Sequence, residues 1–301
     1  MDKVLFKGID LPQDPVFVVG YPRSGTTLVQ SLLATQEDVY SLPETHFYNV
    51  IYREAVRTDE QGFLDESCLP RVFAKIHEKM DFRFDPGEEN HITRLAQEKR
   101  LDPKLLFEFI VGHFIAADLE NRKERKSKSF RWVEKTPNHA YFLEHILSVY
   151  PQAQFVNIIR HPVPAVYSRK INFPFNKDKP LEKLAQLWKR SIFETEEFAR
   201  QQPGKLYSVK YESLTANVEA EFGKICNFVG IALNMDLVRN HPEVSGRFIL
   251  SAEVWKKKEE YKDIVNTNTK YLDIVPREEA EYIESLLADK MKEYGYAPLF
   301  S

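Results

Sequence analysis

The sequence predicts an α/β protein, a three-layer sandwich in which helices cover both faces of a central parallel β-sheet. Short apolar runs rich in β-branched residues recur along the chain, and a longer segment with helical character separates each from the next. This alternation is typical of parallel strands joined by right-handed crossovers. With 301 residues, 43% of them hydrophobic, the chain can bury a substantial core, and we expect a single domain over residues 1–301.

The first predicted strand covers residues 16–19, and the turn after it begins at Gly20. Leu28, Leu32 and Leu33 then recur at helical spacing. Further strands are predicted at residues 131–133, 155–159 and 206–209, and helices at residues 103–121, 139–149, 181–200, 218–229 and 276–294. Residues 53–100 are charged and weakly periodic, which predicts helical excursions and loops outside the sheet, either covering a substrate or solvated without a role.

Charge and composition exclude several classes of protein. The 42 Lys and Arg against 45 Asp and Glu give no general attraction to nucleic acid or to an anionic membrane, so any anion site must be local. No uncharged apolar run approaches the roughly 18 to 20 residues of a membrane span, and residues 1–15 lack a signal-peptide core. The two cysteines have no CxxC spacing, and no motif has metal-ligand spacing. We therefore expect a cytoplasmic protein without a metal.

The turn after the first strand reads GYPRSGTT, from Gly20 to Thr27. Backbone N–H groups and the helix dipole at such a strand-to-helix turn favour an anion. The spacing matches the nucleotide-binding pattern GxxxxGK[ST], but Thr26 stands where that pattern has its lysine, which disfavours a nucleoside triphosphatase. The cation lies inside the loop instead, at Arg23, unless the segment is only a tight turn with incidental polar residues.

This loop resembles that of the sulfotransferases that use 3'-phosphoadenosine-5'-phosphosulfate (PAPS), which reads P-[KR]-S-G-T-[TS]. The resemblance implies a P-loop NTPase-like sulfotransferase fold and transfer of a sulfuryl group from PAPS to a hydroxyl, with PAP as the product. It implies that Arg23 meets the 5' phosphosulfate. Further contacts to this group would come from Ser24, Gly25, Thr26 and Thr27.

A second stretch, FVNIIRHP followed by AVYSR, resembles the family's site for the 3' phosphate. There an Arg at a strand end and a Ser about eight residues later hold this phosphate, which implies Arg160 and Ser168 here. Without the resemblance, the same residues would be a strand-end arginine paired with a carboxylate and a serine facing solvent.

A third stretch, EKTPNHAYF, resembles the E-K-[ST]-P-x-Y-F run of the glycan-sulfating branch, with His139 as one inserted residue. The resemblance implies that Lys135 stabilises the group in transfer, where negative charge builds in the transition state. The alternative is that Glu134 and Lys135 form an exposed ion pair at a strand end.

A fourth stretch, LPETHF, resembles the glycan branch's E-x-H-F-F, whose Glu is the general base for the acceptor hydroxyl. Glu44 takes this role by resemblance, and His46 is the second candidate because its ordinary pKa suits a base. The alternative is a turn with His46 packed beneath it.

Later in the chain, YESL resembles a family segment whose Tyr lies near the adenine, which implies Tyr211, unless this ring only packs. The family closes the 3' phosphate site with a loop before its last helix. Arg247, Lys257 and Lys270 are candidates, although no R-K-G motif is present.

These resemblances predict a PAPS-dependent sulfotransferase with a small-molecule or carbohydrate acceptor. The unmatched residues 49–130 would contribute to the acceptor site. Aromatic candidates for an acceptor pocket, or else for the core, are Tyr48, Tyr52, Phe173 and Phe175. The alternatives are a Mg²⁺- and ATP-dependent P-loop kinase with a divergent loop and a non-catalytic nucleotide-binding module.

Overall fold

The computed structural model describes residues 9–122, 130–247 and 263–300, and it confirms the predicted fold class. Within these ranges one sheet contains five parallel strands. The strands are β1 (Val16–Gly20), β2 (Val39–Ser41), β3 (Arg131–Lys135), β4 (Gln154–Ile159) and β5 (Leu206–Lys210). Their order across the sheet is β2-β3-β1-β4-β5, so that β1 is central.

Helices cover both faces of this sheet. They are α1 (Thr26–Thr35), α2 (Leu69–Met80), α3 (Pro86–Gln97), α4 (Pro103–Arg122), α5 (Leu143–Val149), α6 (Pro162–Asn172), α7 (Leu181–Gln201), α8 (Tyr211–Ala216), α9 (Val218–Val229), α10 (Met235–Val238), α11 (His241–Gly246) and α12 (Arg277–Glu293). The predicted helices at residues 103–121, 181–200, 218–229 and 276–294 correspond to α4, α7, α9 and α12 within two residues at each end.

The central strand is apolar along its whole length because both of its faces are buried. Phe17 and Val19 belong to a core cluster shared with α4, whereas Val16 and Val18 belong to the cluster on the opposite face, shared with α1 and α9. The Phe17 ring packs at 5.7 to 6.5 Å between ring centroids against other aromatic rings of its cluster, including Phe155 and Phe107. A buried parallel strand has this continuous pattern.

Parallel pairing brings the carboxyl ends of all five strands to one edge of the sheet. The turn from Gly20 to Thr27, called the phosphate loop from here on, follows β1, Glu44 follows β2, and Lys135 ends β3. Arg160 follows β4 and Tyr211 follows β5. Ligands of such sheets bind in a crevice outside the carboxyl ends of the strands, at the point where the chain changes direction across the sheet.

Two elements differ from the sequence prediction. Strand β2 was not expected, because three residues are too few to show a pattern. The helix predicted at residues 139–149 begins only at Leu143, because a 3₁₀ turn, Pro137–Tyr141, precedes it and buries His139.

The segment predicted to lie outside the sheet, residues 53–100, contains α2 and α3. A π-helical turn, Phe47–Tyr52, directly precedes it, and there the amide of Ile51 donates to the carbonyl of His46 across five residues. π-turns are rare and occur frequently at functional sites. Among the described helices, none combines the length and the apolar character that crossing a bilayer requires.

Candidate active site

The loop after β1 has a backbone that few side chains tolerate. Arg23 has a φ of 74° and Gly25 a φ of 103°. A Cβ added to Gly25 would lie 2.7 Å from Cδ2 of Tyr211, so both the conformation and the space require glycine here. The hydroxyl of Ser24 is buried and has no hydrogen-bond partner among the described residues. A buried hydroxyl without a partner is rare in folded proteins. An anion bound at the start of α1 would accept its hydrogen bond.

Arg160 is buried, and each of its three side-chain nitrogens donates a hydrogen bond. In the described part of the chain, none of the acceptors is a carboxylate. Its Nη1 donates to the carbonyl of Arg23 at 3.0 Å, and its Nε donates to Oδ1 of Asn268 at 2.7 Å. Its Nη2 donates to Oγ1 of Thr267 at 3.0 Å. Only neutral oxygens accept these bonds, so the positive charge remains available to an anionic ligand. The expected alternative, an arginine paired with a carboxylate, is not what the described residues show.

The ring of Tyr211 lies between Arg160 and the phosphate loop. The guanidinium carbon of Arg160 is 4.4 Å from the ring centroid, a cation–π contact. The hydroxyl donates to the carbonyl of Val265 at 2.9 Å and accepts from the amide of Thr267 at 3.2 Å. Tyr211 therefore ties the loop, the end of β5 and residues 265–267 together.

Ser168 and Arg23 are in direct contact. Ser168 lies on α6 and is 1% exposed, not turned to solvent, and its Oγ accepts a hydrogen bond from Nε of Arg23 at 3.0 Å. The sequence assigned these residues to opposite ends of one nucleotide. The structure brings the two assigned residues together: the Arg23 side chain contacts Ser168, and the backbone carbonyl of Arg23 accepts from Nη1 of Arg160.

Lys135 and Glu44 form an ion pair at the ends of β3 and β2. Nζ of Lys135 donates to Oε1 of Glu44, and the two side chains are 2% and 12% exposed. Nε2 of His46 lies 3.5 Å from the other carboxylate oxygen of Glu44. The pair is thus buried, in contrast to the exposed Glu134–Lys135 pair that was the alternative interpretation.

A buried network beneath this pair fixes the segments that carry it. The carboxylate of Glu134 accepts from the hydroxyls of Thr45 at 2.8 Å and Thr136 at 2.6 Å, and from Nδ1 of His139 at 2.9 Å. Nε2 of His139 accepts a hydrogen bond from the amide of Tyr48 at 3.2 Å. Burial acts to raise the pKa of Glu134, but the contacts with His139 and the two hydroxyls outweigh it and hold the pKa below its ordinary value.

Most of the predicted site residues line one cleft with a volume of 540 Å³, whereas Ser24, Lys135 and Ser168 are not among its lining residues. Of the predicted site residues, its lining includes Arg23, Gly25, Thr26, Thr27, Glu44, His46, Arg160 and Tyr211. Phe173, Phe175 and Lys270 line it as well, whereas Tyr48 is buried in the core. Arg247 pairs with Glu243 at 3.1 Å away from this lining, and Lys257 lies outside the described residues.

The sequence analysis did not identify the partners of Arg160. Thr267 and Asn268 belong to a polar run, NTNT, that matches no motif and lies 107 and 108 residues further along the chain. Glu212, the residue after Tyr211, accepts from the amide of His161 at 2.9 Å and from Nδ2 of Asn268 at 2.7 Å. A pattern in one sequence cannot show such long-range contacts.

No group of three His, Cys, Asp or Glu side chains close enough to hold a metal ion occurs in residues 9–122, 130–247 and 263–300. The expectation that no metal is needed stays a prediction.

The family model, the relatives and the solved structure that match this chain are all described as sulfotransferases. A family model described as "Sulfotransferase family" matches residues 15–235. The chain is 24% identical over 245 residues to protein-tyrosine sulfotransferase 1 of Danio rerio, covering 77% of this chain and 57% of that protein. It is 24% identical over 252 residues to the omega-hydroxy-beta-dihydromenaquinone-9 sulfotransferase Stf3 of Mycobacterium bovis, covering 72% of this chain and 63% of that protein. The chain thus spans less than two thirds of either relative.

A solved structure, the sulfotransferase domain from the curacin biosynthetic pathway, superposes with a TM-score of 0.56 at 17% identity. The match covers 93% of this chain and 99% of that domain, so the two share a fold.

Proposed function

Because the chain belongs to the sulfotransferase family, we propose that it transfers the sulfuryl group of PAPS to a hydroxyl of a small-molecule acceptor. The observation that carries the proposal is the Arg160 cluster: a buried guanidinium that donates only to neutral oxygens and lines one cleft with a phosphate-type loop, whose Arg23 contacts Ser168. PAPS differs from ATP in carrying a 3' phosphate as well as a 5' phosphosulfate. The phosphate loop and the Arg160 cluster, which lie side by side, could each bind one of these two anionic groups.

The residues present fit this nucleotide. The Ser24 hydroxyl and the first amides of α1 would hold the 5' phosphosulfate, with Arg23. Arg160 and Ser168 would hold the 3' phosphate, and the Tyr211 ring would pack near the base. PAPS would supply an activated sulfuryl group, so the chain itself needs to bind, to orient and to move one proton.

Glu44 is the proposed base. Its Oε1 accepts a hydrogen bond from Nζ of Lys135, so this oxygen is more accessible to the proton of the acceptor hydroxyl once Lys135 turns away. A sulfuryl group in the cleft would draw Lys135 away, because the group in transfer carries the negative charge that this lysine then stabilises. The hydroxyl oxygen bonds to sulfur as its proton passes to Glu44, while the bond from sulfur to the nucleotide breaks. His46, 3.5 Å from Glu44, is the second candidate base.

The acceptor class follows only in part from the relatives. One is named for a protein tyrosine and another for a menaquinone derivative, so a hydroxyl acceptor is the common feature. A carbohydrate acceptor and a cytoplasmic location, both expected from the sequence, stay predictions. The kinase alternative is not favoured, because the matching family transfers sulfuryl groups.

Calorimetric titration with PAP, without Mg²⁺, tests the proposal. We expect micromolar binding that Arg160→Ala weakens by about 1.5 to 3 kcal/mol, the usual range for hydrogen bonds to charged groups. Arg200→Ala, which removes an exposed arginine on α7, is the matched control. Tighter Mg²⁺-dependent binding of ATP than of PAP would overturn the proposal in favour of a kinase.

A further inference from the structure

One cation in the cleft has no counterpart in the nucleotide assignment. Arg169 is half-buried, lines the cleft and stacks over the Tyr21 ring, 4.8 Å from its centroid. Its Nη1 is buried and makes no hydrogen bond within the part of the chain that the structure describes. A buried guanidinium nitrogen without an acceptor is costly, and an anionic ligand group would satisfy it.

Two aromatic rings stand next to this cation at the mouth of the cleft. Phe173 and Phe175 line it, and their ring centroids are 5.4 Å apart. Phe175 is 68% exposed, which is unusual for a ring that already has an aromatic neighbour. Nζ of Lys179 lies 5.1 Å from the centroid of the Phe175 ring. We call Arg169, Phe173, Phe175 and Lys179 the basic aromatic lip.

Three acidic side chains, Glu44, Glu78 and Asp263, line the same cleft as the lip. Glu44, in the same cleft, is bonded to Lys135, and Glu78 is paired with Lys75 and Lys79 at 2.7 Å each. Within the described residues, neither Arg169 nor Lys179 has an ion pair with an acidic side chain. Burial, followed by the charges of Arg169 and Lys183, lowers the pKa of Lys179 below its ordinary value, as expected where cations crowd together.

We propose that the acceptor of this site is an aromatic hydroxyl compound that carries an anionic group, such as a carboxylate. Its ring packs on Phe173 and Phe175, and its anionic group binds Arg169. Its hydroxyl reaches Glu44, which lines the same cleft. This inference rests on the proposed function, since it names the acceptor class of that site.

Matched probes that differ only in charge test this assignment. The probes are 4-hydroxyphenylacetate, its neutral amide 4-hydroxyphenylacetamide and the cation tyramine, each titrated calorimetrically into the protein saturated with PAP. We expect the anion to bind at least about tenfold more tightly than the amide, and tyramine to bind most weakly. Arg169→Met, which keeps the length of the side chain, should remove the difference between anion and amide.

Three further measurements make the result specific. Phe173→Leu should weaken the anion and the amide equally, because the ring contact is common to both. Arg200→Met, on an exposed part of α7, should change neither affinity. Arg169→Met should leave PAP affinity unchanged, since this residue is assigned to the acceptor.

Equal affinity for anion and amide, or no binding of any probe, would overturn the inference. A loss of PAP binding in Arg169→Met would also overturn it, because Arg169 would then serve the nucleotide. The same titrations without PAP distinguish a failure of the acceptor assignment from a failure of the proposed function. If the wild-type protein did not bind PAP, the proposed function would fail, yet the preference for the anionic probe would still be measurable.

Discussion

At the scale of single residues, the first prediction concerns Glu44, the proposed base, which is paired with Lys135. Glu44→Gln removes the proposed proton acceptor but preserves its shape. We expect the rate of sulfuryl transfer to fall by about two to four orders of magnitude, the usual contribution of a general base, while PAP affinity changes little. Transfer is measured with radiolabelled PAPS and a phenolic acceptor.

Glu37→Gln, at an exposed position after α1, is the control and should retain full activity. His46→Asn distinguishes the second candidate. If it lost more activity than Glu44→Gln and also lost the acidic limb of the pH–rate profile, His46 would be the base.

Gly25 sets a second prediction at this scale. Gly25→Ala must place a Cβ at a φ of 103°, 2.7 Å from the Tyr211 ring. We expect a loss of at least about 1 kcal/mol of stability, because alanine is strained in this conformation. PAP binding should weaken as well, since Tyr211 and the loop must separate. Urea unfolding and PAP titration provide the two measurements.

Gly246→Ala is the matched control, because the position has no positive φ and a Cβ there would meet nothing within 4 Å. Equal stability of the two variants would show that the loop adapts without cost.

At this scale the sequence identified the charged side chains but not their contacts. Arg23, Arg160 and Tyr211 were named from motifs, and all three line the cleft. Thr267 and Asn268 were missed, because a polar run of NTNT has no periodicity and its role depends on the position of Arg160 in space. The motifs also did not predict the hydrogen bond between Arg23 and Ser168, because each motif assigns its own residues separately.

At the scale of elements, the Glu134 network joins the segment after β2 to the end of β3. Glu134→Gln should destabilise the protein at neutral pH by about 1.5 to 3 kcal/mol, because Thr45, Thr136 and His139 lose a charged acceptor. The pKa of Glu134 is lower in the folded chain than in the unfolded chain. Its stabilising contribution is therefore present above the unfolded pKa and is lost as the pH falls through the folded pKa.

Urea unfolding at a series of pH values measures this dependence. The wild-type protein should lose stability more steeply than Glu134→Gln as the pH falls below 4.5, the ordinary pKa of a glutamate. Glu60→Gln, at an exposed position, should follow the wild-type curve. Parallel curves for wild type and Glu134→Gln would mean that the pKa of Glu134 is the same in the folded and unfolded chains.

The sequence predicted elements well where periodicity is long. Helix α9 was predicted with its observed bounds, because its apolar face and its terminal Gly230 are both visible in the sequence. Strand β2 was missed because it is three residues long. The late start of α5 was missed for a different reason: Nε2 of His139 accepts from the amide of Tyr48, 91 residues earlier in the chain, and helical spacing does not include such a tertiary contact.

At the scale of the whole molecule, the proposed nucleotide site joins parts of the chain that are far apart. Arg23, Arg160 and Thr267 come from the first, middle and last thirds of the sequence and meet through hydrogen bonds. A ligand bound there stabilises the folded state. At a concentration one hundred times its Kd, PAP should add about 2.7 kcal/mol to the free energy of unfolding.

Chemical unfolding with and without the nucleotide measures this effect. AMP, which lacks the 3' phosphate, is the matched ligand and should stabilise much less at the same concentration. Arg160→Ala should remove most of the difference between PAP and AMP. Equal stabilisation by the two nucleotides would show that the Arg160 cluster does not bind the 3' phosphate.

The location of the cleft at the carboxyl ends of the strands also affects how acceptor preference can change within such a fold. Apart from Ser168, which lies on α6, the proposed nucleotide contacts arise at strand ends and in the turns directly after them. In contrast, Lys79, Phe173 and Phe175 come from segments that connect one strand to the next. Exchanging residues 169–180 for the corresponding turn of another family member would alter the acceptor surface and leave the sheet intact. New acceptor preferences can therefore arise by changes in connecting segments alone, while the donor chemistry is inherited unchanged.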